Sequence, residues 1–211
     1  MGFQTFRYGC LVAMLWFAWT PLLAQKQPEV KESGGGRPEA AYRGGVVTPP
    51  IPKPKFTLRD TSGNPFDFWI ETKGYVTLLF FGYTHCPDVC PTHMAFLASA
   101  LRTLPGDVRK QVKVVFVTTD PNRDNPQLLR TWLDHFDKQF IGLLGDEKAI
   151  RAAQSAANLP VADNDSSYEH SAFILAYTKD DFAHIIYPSG IAQSDWLHDL
   201  PQLVRENWRG R

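Results

Sequence analysis

Residues 75–91 read Tyr-Val-Thr-Leu-Leu-Phe-Phe-Gly-Tyr-Thr-His-Cys-Pro-Asp-Val-Cys-Pro. The first seven, Tyr75 to Phe81, are a continuous apolar and β-branched run. That pattern suits a strand covered on both faces, as in a parallel sheet. Gly82 ends the run. From Thr92 to Leu104 the period changes: Met94, Leu97, Ala98 and Leu101 fall on one helical face, and Pro105-Gly106 stops the helix. A strand, a short loop holding two cysteines, and a helix therefore follow one another.

The same alternation continues outward. Val112 to Val117 reads as a second core strand. Asn125-Pro126 is an N-cap followed by proline at the first helical position. The helix it opens runs to about Phe136, with Leu128, Leu129, Trp132 and Leu133 facing inward. Ile141 to Leu144 is a short strand and Glu147 to Ala157 a short helix. Ala172 to Tyr177 and His184 to Tyr187 bracket a turn at Lys179-Asp180-Asp181 and read as a hairpin. Asp195 to about Trp208 closes the chain with a helix. Upstream, Phe56-Thr57-Leu58 is a short strand, followed by a turn at Asp60 to Asn64. There is no internal repeat. The βαβ crossovers and the hairpin together imply an α/β protein with a thioredoxin-like fold, its central mixed sheet flanked by helices.

The N-terminus differs in kind. Arg7 is the only charge before an apolar stretch from Cys10 to Trp19, and Leu22-Leu23-Ala24 precedes Gln25. The stretch is short for a span of about 20 residues. Residues 1–24 are therefore expected to be a signal peptide, or else an N-terminal membrane anchor; Leu22 is a poor match to the small-x-small cleavage pattern. Residues 25–54 are rich in glycine and proline and are expected to be a linker, extended and stiff from Thr48 to Lys55. Residues 55–211 form the domain. The chain carries 22 basic and 22 acidic residues, so no basic excess speaks for nucleic-acid binding.

Of the three cysteines, Cys10 lies in the apolar leader, which leaves Cys86 and Cys90. A disulfide across so small a loop would contribute little stability, so the pair points to chemistry. Three readings remain: a soft-metal site, thiol–disulfide chemistry without metal, or two inert thiols. Positions i and i+4 share a face if the loop winds one turn. Pro91 can open the next helix, which would place Cys90 at its positive end and favour its thiolate. Two sulfurs leave a metal under-coordinated. His170, just before the strand at Ala172, is a candidate third ligand, although a lone loop histidine is more often simply solvated. His85 and His93 flank the cysteines in positions better suited to outer or surface roles. Asp120 and Asp124 read as strand-end or helix-cap carboxylates, or as outer contacts to a metal or docking partner.

Phe80 to Pro91 resembles the signature of the Sco/SenC copper chaperones. Asp120-Pro121-Asn122-Arg123-Asp124 resembles that family's second motif, and His170-Ser171-Ala172 its third. The resemblance spans about residues 55–205. It implies that Cys86, Cys90 and His170 bind copper, as Cu(I) and also Cu(II). It implies delivery to the copper centre of cytochrome c oxidase, through an oxidase subunit or another copper chaperone, and thiol reductase activity in some members. It also implies an exported protein, periplasmic or anchored facing the periplasm. Where the family often has Val-Asp-His, this chain has Tyr168-Glu169-His170. An exported thiol–disulfide oxidoreductase is the alternative. The spacing is C-x-x-x-C rather than C-x-x-C, and His170 rather than proline precedes Ser171. A zinc site would want a fourth ligand.

Overall fold

The computed structural model describes residues 42–159 and 173–208. Gly45–Pro52 forms strand β1, Thr57–Asp60 β2, Pro65–Asp67 β3, and Phe68–Glu71 the single-turn helix α1. Then follow β4 (Val76–Gly82), α2 (Val89–Thr103), α3 (Gly106–Arg109), β5 (Val112–Thr118) and α4 (Pro126–Asp134). The remainder is β6 (Ile141–Leu144), α5 (Glu147–Ala156), β7 (Ile174–Tyr177), β8 (Phe182–Tyr187) and α6 (Gln193–Arg205). The described strands form one sheet in the order β1-β8-β7-β4-β5-β6-β2-β3. β4, β5 and β6 are parallel; the other pairings are antiparallel.

All seven residues of β4 are buried, as its unbroken apolar run requires. Val76, Leu78 and Phe80 face a core built with Met94, Leu97 and Leu101 of α2, Leu129 and Leu133 of α4, and Trp196 and Leu200 of α6. Leu79 and Phe81 face the opposite core, with Phe68 of α1 and Ala153 of α5. Each fully buried Leu or Phe contributes roughly 1.5–3 kcal/mol. The strand that delivers the cysteine loop is thus held from both sides. On α4 the buried stripe is Leu129 and Leu133, while Leu128 and Trp132 are half-buried.

β4 and β5 leave the sheet at the same end, Gly82 beside Thr118. β7 runs antiparallel to β4 and begins there, Ile174 opposite Phe80. The thioredoxin-like arrangement therefore gathers three chain crossings at one end of the sheet.

Two expectations need correcting. The linker expected over 25–54 ends earlier, because Gly45–Pro52 is an edge strand paired with β8, Gly45 opposite Ile186 and Pro52 opposite Phe182. Proline lacks the N–H for a central ladder but is tolerated at an edge. The register shifts between Val46 and Ile51, where the two prolines lie. Lys53 then buries its ammonium, 2.8 Å from the Asp181 carboxylate and 3.3 Å from the Thr72 carbonyl. Secondly, α2 begins at Val89, three residues before the expected Thr92, so Cys90 and Pro91 both lie in its first turn. The leader expected at residues 1–24 lies outside the described residues.

Candidate metal centre

The loop from Tyr83 to Asp88 carries the chain from β4 into α2. Asp88 stands at the helix N-cap, yet its side chain makes no cap hydrogen bond. The sulfur of Cys86 takes that place: the Cys90 N–H donates to Cys86 Sγ at 3.5 Å, and the N–H groups of Asp88 and Val89 also point to it. Burial alone would push the Cys86 thiol up. The amide donors and the Cys90 side chain outweigh burial and hold it below its ordinary value. Cys90 is the reverse. It is fully buried, and burial, the neighbouring Cys86 sulfur and the Asp124 carboxylate push its thiol well above the usual range. The expectation that the helix terminus would favour the Cys90 thiolate is overturned. Its backbone is in the first turn, but its sulfur faces the core, and the sulfur among the amides is that of Cys86. Both cysteines are unbridged.

Tyr83 leans over the pair. Burial raises its phenol, and the two sulfurs raise it further. The Arg123 guanidinium lies 5.9 Å from the Tyr83 ring centre. His93 is buried in α2, its ring 5.4 Å from that of Phe80 and edge-on to it; the surface role is thereby excluded. His85 is about half exposed, with Nδ1 3.5 Å from an Asp124 oxygen. His170 lies outside the described residues, as do Tyr168, Glu169, Ser171 and Ala172. Among the described residues, no three His, Cys, Asp or Glu side chains form a group able to hold a metal.

The SCO1/SenC family model matches residues 48–205. The chain belongs to the SCO1/SenC family. ScoI of Bradyrhizobium japonicum, solved with copper bound, is 32% identical with a TM-score of 0.61, covering 72% of this chain and 99% of that one. Apo Sco1 of Thermus thermophilus is 29% identical with a TM-score of 0.66, covering 77% and 96%. A SCO2-like protein of Rickettsia felis is 36% identical over 125 residues, 56% of this chain and 60% of its own length. The match thus spans about three fifths of the length of the bacterial relatives and about a third of that of the yeast and plant ones.

In this Sco-family chain the second motif lies against the first. Asp124 accepts the Thr84 N–H at 3.1 Å and the Thr84 hydroxyl at 2.5 Å. It also accepts the Thr118 hydroxyl at 2.5 Å. It does not cap α4; Asn125 does, its side chain accepting the Leu128 N–H at 2.9 Å. Asp124 ties the cysteine loop to the end of β5. Asp120 is fully buried and takes a charge-assisted bond from Arg123 Nε, while its other oxygen is buried and has no hydrogen-bond partner among the described residues. Thr84 and Thr118 are site residues that the sequence did not signal. Their pairing with Asp124 joins segments 40 and 6 residues apart, and isolated threonines carry no motif. A cavity of about 550 Å³ lies beside Asp124, lined also by Arg59, Pro121 and Asp146; neither cysteine reaches it.

Proposed function

We propose that this chain is a copper carrier that binds Cu(I) through Cys86, Cys90 and His170. It passes the ion to a subunit of cytochrome c oxidase or to another copper chaperone. The observation that carries this reading is the pair of unbridged sulfurs one helical turn apart, one of them among backbone N–H donors. Two soft sulfurs suit Cu(I), and an imidazole completes a three-coordinate set. His170 precedes Ile174 by four residues, a stretch that spans at most about 14 Å, and Ile174 lies opposite Phe80 at the cysteine end of the sheet. That ScoI was solved with copper bound supports copper as the metal. Asp120 and Asp124 serve from outside the ligand set, Asp124 by holding the loop. Export, with residues 1–24 as signal or anchor, follows from the leader; among the described residues no helix is long and apolar enough to cross a membrane.

Copper titration of the reduced chain, beside Cys86→Ser and His170→Ala variants, tests this. One copper per chain is expected, with binding lost in Cys86→Ser and weakened at least tenfold in His170→Ala. Undiminished copper affinity in His170→Ala would remove that residue from the ligand set. The disulfide form should take up no copper, because both donors are then consumed.

The asymmetry of the thiols favours a second activity, reduction of a recipient's disulfide. The Cys86 thiolate attacks one sulfur of that disulfide, and a recipient thiolate leaves. Cys90, giving its proton to the recipient thiolate just released, then attacks Cys86 and releases the second recipient thiolate. The recipient gains two electrons, this chain ends as the Cys86–Cys90 disulfide, and a dithiol reductase must reset it. Turnover of a disulfide substrate by copper-free protein would establish it; absence of a mixed disulfide in Cys90→Ser would exclude it.

A further inference from the structure

Gly82 is the last residue of β4, and its φ is not positive, so conformational freedom does not explain a glycine there. Space does. A Cβ built on Gly82 would lie 2.8 Å from Cys90 Sγ and 3.0 and 3.1 Å from two ring carbons of Phe116. Heavy atoms sit comfortably at about 3.5–4.0 Å, so the sulfur of Cys90 rests directly against bare backbone. The surroundings cannot yield easily. The Gly82 carbonyl accepts the Thr119 N–H at 2.7 Å and the Thr119 hydroxyl at 3.2 Å. The Phe116 ring is wedged between Phe80 and Trp132, with ring centres 5.6 and 5.0 Å away. The group with the freest torsion in this contact is the Cys90 side chain, and it has no solvent to retreat into.

We infer that Gly82 is a positioning residue for the metal site: the absence of its side chain sets where the Cys90 sulfur stands, and with it the separation of the two sulfurs. This rests on the copper reading above for its consequence and on packing alone for its cause. A methyl group at residue 82 would displace the sulfur by about 0.7 Å or switch its rotamer, more than the roughly 0.5 Å within which a binding constellation must be held.

The test compares Gly82→Ala with Gly142→Ala in the full chain. Gly142 is as crowded: a Cβ there would meet Leu133 at 2.7 Å and Leu129 at 3.0 Å, with no sulfur in reach. Two equilibria are read. One is Cu(I) affinity by competition with a chelator, together with the sulfur-to-copper absorption spectrum. The other needs no metal: the Cys86–Cys90 dithiol is equilibrated with oxidised glutathione, which takes the two electrons and two protons and leaves as two thiols. Gly82→Ala is expected to weaken copper at least tenfold, to alter the spectrum, and to shift the glutathione equilibrium at least tenfold. Gly142→Ala should lower stability comparably and leave both equilibria within twofold of wild type. Values for Gly82→Ala within twofold of wild type in both would overturn the inference. If Gly82→Ala does not fold, Gly82→Ala with Phe116→Leu frees the ring side and leaves only the sulfur contact. Restored folding with weak copper supports the inference, and restored folding with full affinity sinks it. If wild type binds no copper, the copper reading fails, while the glutathione comparison still decides the role of Gly82.

Discussion

At the scale of single residues, the two sulfurs stand in unlike surroundings, and their reactivity should differ accordingly. Alkylating agents react with thiolate. Because Cys86 is held below the ordinary thiol value and, though buried, keeps a sliver of exposed surface where Cys90 has none, its alkylation by iodoacetamide should set in at lower pH than that of a free cysteine, while Cys90 stays unmodified in the folded protein. Peptide mapping after timed quenching checks this, and equal labelling would refute the asymmetry. Asp124 offers a second measurement. Replacing it with alanine leaves the Thr84 N–H and the hydroxyls of Thr84 and Thr118 without their acceptor. Orphaned buried donors cost roughly 1–3 kcal/mol each before relaxation. Asp124→Ala should therefore lose about 3 kcal/mol in urea unfolding and bind copper more weakly, though it touches no proposed ligand. The sequence located the cysteines but not their inversion. Which sulfur meets the amides depends on where α2 begins, and Val89-Cys90-Pro91 carried no signal strong enough to move that boundary ahead of Thr92.

At the scale of elements, the strands and helices with regular apolar periods matched their reading. Continuous runs made β4 and β5, the four-residue stripe Met94, Leu97, Ala98 and Leu101 made the buried face of α2, and Asn125-Pro126 opened α4. β1 was not readable, because its pairing with β8 is a tertiary fact and its prolines argue locally for a loop. The β7–β8 turn shows how an element is locked electrostatically. Burial would raise the Asp180 carboxyl, but the Thr178 hydroxyl at 2.5 Å and His184 Nε2 at 2.8 Å hold it below its usual value. A carboxyl depressed on folding stabilises the native state above its unfolded value, about pH 3.9, and that stability is lost as the pH falls through the folded value. Asp180→Asn should therefore be less stable than wild type by about 1 kcal/mol at neutral pH. The difference should vanish as the pH drops below the carboxylate range, which urea unfolding across pH measures.

At the scale of the whole molecule, the segment before β1 is fastened by one buried carboxylate. Asp199 of α6 accepts the N–H of Arg43 at 3.0 and 2.9 Å, the N–H of Gly44 at 3.1 Å and the Tyr187 hydroxyl at 2.8 Å. The Tyr42 hydroxyl meets Glu206 nearby. A fragment beginning at residue 55 lacks all of this and leaves the β8 edge unpaired, so it should unfold at markedly lower urea concentration than one beginning at residue 42, and self-associate in sedimentation. Equal stability of the two would show β1 to be dispensable. The direction of β1 has a geographic result. Gly45 lies opposite Ile186, Ile186 opposite Leu175, and Leu175 opposite Leu79, so β1 joins the sheet level with the middle of β4 and runs away from the cysteine end, three strands or roughly 15 Å to the side. A change in β1 is thus felt first at β8 and β7, and reaches the strand that carries the cysteines only through them.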